Sequence, residues 1–375
     1  GIFMSENFWE LFWEELKMLY KKEDGGTEAY ESERPILDKV LKKVEKKLKD
    51  KYDYDFVEPI GKGGAGIVIR LKDKRLELDR ALKIPRPKGK NLIDSVKNEI
   101  KHLNKIRHEN IIKIYTLGQV QISDYPFPYP YFVMDYIKDT QDLRKKILTK
   151  LESTTESKEL KEITKWIAQK LYRIAEAVNF LHEHQTIHFD IKPSNILIDT
   201  HDKPFLNDLG FAKKKTDEEN PTVVGFTLFY AHPDLRLEYR HMSSRSRVRK
   251  EIAPKDFKYV WDIYAFGKSL LEILALVDNR FPNAVLYDYT FGYLHLAACR
   301  MLDGRNMSQE ETNRIRIKQI QNGEDMAVYK EKWLELGASD FEEIKYRTFE
   351  EIVRDFKKLL LGEYFLVSVP EMNAF

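Results

Sequence analysis

Eleven consecutive residues, Ile187-His-Phe-Asp190-Ile-Lys192-Pro-Ser-Asn195-Ile-Leu197, constrain this chain more than any other stretch. An acid, a cation and an amide fall within six positions, between two short apolar runs with the residue types of strands. The plain alternative is a polar turn between two strands. The three polar types also answer a specific chemical demand. Moving a γ-phosphoryl group calls for a carboxylate to orient and deprotonate the acceptor hydroxyl, a cation to balance the moving charge, and an oxygen ligand for Mg²⁺. Asp190, Lys192 and Asn195 offer these in turn.

A chain of 375 residues, 42% of them apolar, can bury a sizeable core and is longer than one domain usually needs. Two lobes, or a domain with additions, are expected. Charged residues make up 33% but nearly cancel to +2, so no global field favours nucleic acid or an anionic membrane. Such a partner would have to use a local patch. The single cysteine, Cys299, excludes an intramolecular disulfide and a Cys-based zinc cluster; it suits a reducing interior, and a cytoplasmic location is expected. No run approaches the roughly 18 apolar residues of a membrane span. Glu10, Glu14 and Glu15 interrupt the aromatic N-terminus, unlike a signal peptide. Met4 reads as the natural start, with Gly1 to Phe3 an expression remnant.

Phe8, Trp9, Phe12, Trp13, Leu16, Leu19 and Tyr20 recur at steps of three and four, which puts a broad aromatic stripe on one helical face. That face must be covered. Packing on the protein's own body is the first expectation and a docking or self-association face the second. A membrane surface comes last, because the polar face is mostly acidic and anionic lipid would repel it. Lys21 to Arg34, with Gly25 and Gly26 and no period, reads as a linker. Pro35 then opens a helix lined by Ile36, Leu37, Val40, Leu41, Val44 and Leu48.

From Asp55 the period becomes that of strands and leads into Gly61-Lys-Gly63-Gly-Ala-Gly66-Ile-Val68. Glycines at this spacing let backbone N–H groups approach phosphate oxygens. A dinucleotide fold needs a helix directly afterwards, whereas Ile67, Val68, Ile69 and Leu71 continue as a strand, so the loop is a hairpin lid. Arg80-Ala81-Leu82-Lys83 follows, apolar residues ending in a lysine. Leu92, Val96, Ile100 and Leu103 then mark the core face of a helix with Glu99 on its edge.

The 187–197 stretch resembles the catalytic loop of protein kinases, His-Arg-Asp with Asn five positions after the Asp; here it runs His188, Phe189, Asp190 and Asn195, with Phe in the arginine's place. The resemblance extends to the glycine hairpin and to the strand ending in Lys83. It implies that Gly61, Gly63, Gly66, Val68 and Ala81 serve the nucleotide, and that Lys83 reaches the α- and β-phosphates with Glu99 as its partner. Glu109 is the rival to Glu99, which is preferred because His108-Glu-Asn110-Ile-Ile resembles the segment after that helix. Met134 would be the gatekeeper, the Asp135 carbonyl and the Ile137 backbone would meet the adenine edge, and Asp142 would touch the ribose.

Eighteen positions after Asp190 comes Asn207-Asp208-Leu209-Gly210, similar to the Asp-Phe-Gly element, so the resemblance makes Asp208 and Asn195 the Mg²⁺ ligands. Gly225 to Asp234 looks like a divergent form of the segment ending in Ala-Pro-Glu. Its Thr227 matches the threonine that bridges the catalytic Asp and Lys of Ser/Thr kinases, and Asp234 would close an ion pair with an arginine such as Arg347. Asp262-Ile-Tyr-Ala-Phe-Gly267 matches the start of the central helix whose Asp holds the catalytic loop backbone. The likeness covers roughly residues 56–276.

Thr149 to Lys161 reads as an exposed loop before a long helix from Trp166 to His182. Arg240 to Lys250 carries five basic side chains, Arg240, Arg245, Arg247, Arg249 and Lys250; such a run is most often a solvated loop, with a site for an acidic substrate or phosphate as the alternative. Helical patterns recur at Tyr293 to Leu302, from Ser308 with Glu311, and from Thr348 with Glu351.

The resemblance thus implies an α+β, bilobal protein-kinase fold: a helical extension over 1–50, a small β-rich N-lobe over 51–137 and a larger helical C-lobe over 138–375. The implied activity is transfer of the γ-phosphate of ATP, with Mg²⁺, to serine or threonine hydroxyls of a protein substrate that the sequence does not identify. Asp190-Ile-Lys192-Pro favours that class over tyrosine kinases. The rivals are a small-molecule kinase of the aminoglycoside or choline kind, which usually lacks the Lys192 position and the 225–234 platform, and a pseudokinase. Lys83, Glu99, Asp190, Asn195 and Asp208 are all present, which speaks against the latter. Phe189 cannot grip an activation-segment phosphate, and Asp217, Glu218 and Glu219 flank the acceptors Thr216 and Thr222. Activity without such phosphorylation is expected, with control passing to the N-terminal helices, the substrate or a partner.

Overall fold

The computed structural model describes residues 4–62, 66–123, 125–282, 284, 288–302 and 345–362. The chain divides into two compact units, Gly1–Lys138 and Asp139–Phe375.

In the first unit, helix α1 (Glu6–Lys21) starts at Ser5, whose hydroxyl accepts the Phe8 N–H. Its stripe is buried at Phe12, Trp13, Leu16 and Tyr20, and each such side chain removed from water contributes about 1.5–3 kcal/mol. Helix α2 (Gly26–Tyr52) begins nine residues before the proline expected to open it, so the 21–34 stretch is helical over most of its length rather than a linker. Two features explain the difference. A Cβ at Gly26 would lie 1.8 Å from the Tyr20 carbonyl oxygen, so only glycine lets α2 start against the end of α1. Pro35 sits inside α2, a placement that costs about 3 kcal/mol through a lost backbone bond and ring crowding. Burial of Leu37, Val40, Leu41, Val44 and Leu48 offsets it. So does a buried fork in which Arg86 donates from Nε and Nη2 to the Glu33 carboxylate at 2.8 and 2.7 Å.

Strands β1 (Tyr54–Lys62), β2 (Gly66–Asp73), β3 (Leu78–Pro85), β4 (Ile114–Val120) and β5 (Tyr129–Asp135) form one antiparallel sheet in the order β1-β2-β3-β5-β4, with helix α3 (Lys90–Leu103) between β3 and β4 in the chain. Residues directly opposite across a ladder share a face. The pairs Val68↔Lys83 and Ala81↔Met134 therefore put all four on one side of the sheet. Ile67, Ile69, Leu71, Leu82, Ile84 and Val133 point to the other side, into one core with Phe12, Trp13, Leu16 and Tyr20 of α1 and the apolar row of α2. The aromatic stripe is thus covered by the chain's own sheet. Lys43 and Lys47 of α2 also donate to the carbonyls of Gln121 and Gln119 along the β4 edge, which blunts it against pairing with another strand.

The second unit runs β6 (Gln141–Asp142), α4 (Leu143–Glu152), α5 (Leu160–Glu183), β7 (Thr186–Ile187), β8 (Ile196–Ile198), β9 (Pro204–Leu206), β10 (Lys213–Lys214), β11 (Thr222–Thr227), α6 (Pro233–Arg236), β12 (Arg247–Ile252) and α7 (Val260–Arg280), followed by helices Tyr289–Met301 and Phe349–Leu360. Its strands pair as β6-β8-β9, β10-β7 and β11-β12. The loop expected over 149–161 is exposed at Thr149, Glu152, Ser153, Thr155, Glu156 and Lys158 but mostly helical: α4 extends to Glu152, a 3-10 turn spans Ser157–Glu159 and α5 opens at Leu160, with Leu151, Thr154 and Leu160 buried. The last helix is capped as its sequence predicts, with Thr348 Oγ1 accepting the Glu351 N–H at 3.3 Å. Arg300 and Tyr346 anchor it by donating to Asp355 Oδ2 at 2.8 and 2.6 Å. The capping box expected at Ser308 to Glu311 lies outside the described residues. No helix among the described residues is long and apolar enough to cross a membrane.

Candidate active site

In the second unit the stretch from β7 to β8 is a loop whose shape Asp262 imposes. This carboxylate, on the first turn of α7 and fully buried, accepts the His188 N–H at 2.8 Å and the Phe189 N–H at 3.0 Å, while His182 Nε2 meets it at 2.8 Å. Phe189 itself is held at φ 68°, in the left-handed region, a strain of order 1–3 kcal/mol for a residue with a side chain. Its ring is anchored against Phe257 and Trp261, with centroids 5.2 and 5.8 Å away. His188 Nδ1 accepts the Asp190 N–H at 3.1 Å, so the ring proton is on Nε2, which donates to the Asn207 carbonyl at 3.1 Å.

These constraints aim Asp190 inward, 2% exposed, and surround it with donors. Thr227, the last residue of β11, gives its hydroxyl proton to Asp190 Oδ1 at 2.9 Å and accepts from Lys192 Nζ at 3.1 Å. Lys192 Nζ lies 3.7 Å from Asp190 Oδ2. Asn195 Nδ2 donates to the Asp190 carbonyl at 2.7 Å and to Oδ2 at 3.1 Å, which turns its amide oxygen away from the acid. Asp208 takes a left-handed conformation, φ 58°, with Oδ1 accepting the Gly210 N–H and Leu209 buried behind it. The donor set fits Mg²⁺, which takes oxygen ligands and is commonly held by one or two protein groups plus phosphates and water. Among the described residues no cluster of three His, Cys, Asp or Glu side chains could form an all-protein metal cage.

In the first unit Lys83 Nζ donates to Glu99 Oε2 at 2.7 Å, with both side chains largely buried. The rival Glu109 does not take this place. Gly61 is the penultimate residue of β1 and Gly66 opens β2, and the two strands pair antiparallel up to Lys62↔Ile67, as a hairpin requires; Gly63 lies outside the described residues. Met134 is buried at the end of β5, Asp135 pairs its backbone N–H with the Lys113 carbonyl, and Ile137 follows the strand. In the second unit Asp142 accepts the Lys145 N–H at 2.9 Å and so caps α4.

Two expectations need correction. Asp234 does not pair with Arg347: its carboxylate meets Lys258 Nζ at 3.4 Å, and its backbone N–H donates to His232 Nδ1 at 3.1 Å. The basic run at 240–250 is not a solvated loop throughout. Arg247 to Lys250 belong to β12, and Arg247 Nη2 lies 2.8 Å from Asp190 Oδ2. Arg247 falls in the run whose alternative reading is an anion site, but the sequence does not direct it to Asp190; His182, Phe257 and Trp261 are not marked by the sequence as parts of the site. His182 sits eight positions before Asp190 at the end of an amphipathic helix, which is a faint signal; Phe257 and Trp261 reach the loop only through tertiary packing.

A family model described as Protein kinase domain matches residues 54–275. The chain is 31% identical over 191 residues to Mitogen-activated protein kinase sty1 of Schizosaccharomyces pombe, covering 50% of this chain and 49% of that one. It is 29% identical over 265 residues to Mitogen-activated protein kinase 13 of Arabidopsis thaliana, covering 70% and 64%, and 30% identical over 243 residues to Mitogen-activated protein kinase kinase 8 of the same plant, covering 64% and 69%. The chain thus spans about half to two-thirds of the length of these curated relatives. With more than half of its residues under the family model, and with the Lys83–Glu99 pair and the Asp190 loop built as described, the chain belongs to the protein kinase family.

Proposed function

We propose that this chain is an ATP- and Mg²⁺-dependent serine/threonine protein kinase. The observation that carries the reading is the Thr227 hydroxyl, held between Asp190 and Lys192, because it fixes a carboxylate and a cation side by side where an acceptor hydroxyl needs both. Asp190 orients the acceptor hydroxyl and takes its proton. Lys192 balances charge on the transferred group. In the first unit Lys83, steadied by Glu99, binds the α- and β-phosphates, and the backbones of Gly61, Gly63 and Gly66 approach them. Val68, Ala81 and Met134, which share a sheet face, line the adenine, and the Asp135 carbonyl and Ile137 backbone meet its edge. Asp142 touches the ribose with the carboxylate that caps α4. Asp208 and the Asn195 amide oxygen hold Mg²⁺, which, when bound, neutralises phosphate charge.

Control does not pass through a phosphate on the activation segment. Phe189 stands where an arginine would grip it, and its place is an aromatic cluster. The chain's one cysteine suits a reducing compartment, and we assign the cytosol. The substrate is a protein presenting serine or threonine. Full-length chain incubated with γ-labelled ATP, Mg²⁺ and dephosphorylated casein, followed by phosphosite mapping, tests the reading. Label on serine or threonine is expected; label on tyrosine, or none on protein, would overturn it.

A further inference from the structure

Three donors converge on the Asp190 carboxylate. Oδ1 accepts from Thr227, and Oδ2 accepts from Asn195 and from Arg247 Nη2 at 2.8 Å, the shortest of the three. A general base needs an oxygen that the acceptor hydroxyl can reach. The guanidinium occupies Oδ2 with a charge-assisted bond, roughly twice as strong as one from a neutral hydroxyl, and so competes with an acceptor for that oxygen. Arg247 is held there from several sides. Nη2 lies 3.8 Å from Asp208 Oδ2, and the guanidinium covers the Phe211 ring at 4.5 Å.

The backbone delivers Arg247 as an extended peptide. β12 pairs antiparallel with β11 over six residues in unbroken register, Thr222↔Ile252 through Thr227↔Arg247. The register thus ends on the pair formed by the threonine that holds Asp190 Oδ1 and the arginine that holds Oδ2. Val248 is buried in a cluster with Phe226 and Phe189, and the Arg249 carbonyl accepts the Tyr239 hydroxyl at 2.7 Å. Gly225 lets this hairpin lie on Phe211, since a Cβ there would meet that ring at 2.5 Å. Arg247 nonetheless remains 37% exposed, so it can swing out without unfolding the core.

We propose that β12 is a built-in gate: Arg247 caps the Asp190 carboxylate, and the chain rests in an autoinhibited state until the cap is displaced. The inference depends on the reading that Asp190 handles the acceptor hydroxyl. Its test compares full-length wild type with Arg247→Ala and Arg247→Gln, using labelled ATP, Mg²⁺ and dephosphorylated casein, alongside hydrogen exchange of the β12 amides. The Gln variant keeps a polar group at a half-exposed position should Ala disturb folding. The expected result is a rise in kcat of about tenfold or more, equivalent to about 1.4 kcal/mol, with the KM for ATP little changed and faster β12 exchange. An unchanged or lower rate, with or without faster exchange, would overturn the gate; a lower rate would make Arg247 an aid to the reaction instead. Asp190→Asn run in parallel separates the two claims. If it is inactive while Arg247→Ala gains nothing, the gate alone fails, whereas near-normal turnover of Asp190→Asn removes the reading beneath it.

Discussion

Thr227 Oγ1 stands 2.9 Å from Asp190 Oδ1, and the same oxygen receives Lys192 Nζ at 3.1 Å. One hydroxyl therefore holds β11 to the loop between β7 and β8 and keeps the acid and the cation in register. Thr227→Val keeps the shape but loses both bonds, and kcat is expected to fall about tenfold to a hundredfold, or about 1.4–2.7 kcal/mol, with the KM for ATP nearly unchanged. Thr227→Ser should recover most of it. Steady-state kinetics of the two variants check this; equal rates in the Val variant and wild type would mean that the bridge is idle.

The first unit depends on its N-terminal helices. Removing residues 1–30 uncovers the sheet face that α1 covers, so the truncated chain is expected to melt lower or to associate. Glu33→Ala is the sharper test: it leaves Arg86 buried without its fork, a loss of about 3–5 kcal/mol. Replacing Glu33 and Arg86 together by apolar residues should cost much less. Denaturant unfolding followed in all three proteins would reveal a purely ornamental extension as unchanged midpoints.

Much of this architecture was readable from the chain because each signal lay within one element. The lysine ending an apolar strand and the Glu on the edge of an amphipathic helix meet at 2.7 Å, and Asp262 accepts the loop's backbone N–H groups. What escaped was set by contacts distant in sequence. Nothing near Gly26 announces that the Tyr20 carbonyl will press against it, and a proline at position 35 ordinarily ends or starts a helix. The β11-β12 pairing turns a basic run into a strand, and a charge run alone does not tell a strand from a solvated loop.

Acid should weaken the second unit through His295, on the helix Tyr289–Met301. Burial holds its imidazole down at about 4, against 6.5 for the free side chain. The unfolded chain therefore takes up a proton at this site before the folded one does. Stability is fully present above pH 6.5 and declines as pH falls toward 4, by up to about 3 kcal/mol from this group. Chemical denaturation between pH 7 and pH 4.5 should show the decline, and His295→Leu should flatten it. An equally steep limb in the variant would assign the effect to other groups.

The aromatic setting of Phe189 predicts indifference to activation-segment phosphorylation. Phosphatase-treated chain, and the Thr216→Ala, Thr222→Ala double variant, should keep initial rates within about threefold of untreated wild type, a change below about 0.7 kcal/mol. A drop of more than tenfold in both would mean that another cation, such as Arg245, serves as the phosphate clamp.

The central claim is that Asp190 acts on the acceptor hydroxyl while other residues hold the nucleotide. Asp190→Asn keeps the side chain's size and its bond from Thr227 but removes the base. Transfer of label from ATP to casein, measured beside the dissociation constant for Mg²⁺·ATP, tests this most directly. The account predicts a loss of at least a hundredfold in transfer, about 2.7 kcal/mol, with the dissociation constant within about threefold of wild type. Near-normal transfer, or a parallel loss of nucleotide binding, would contradict it.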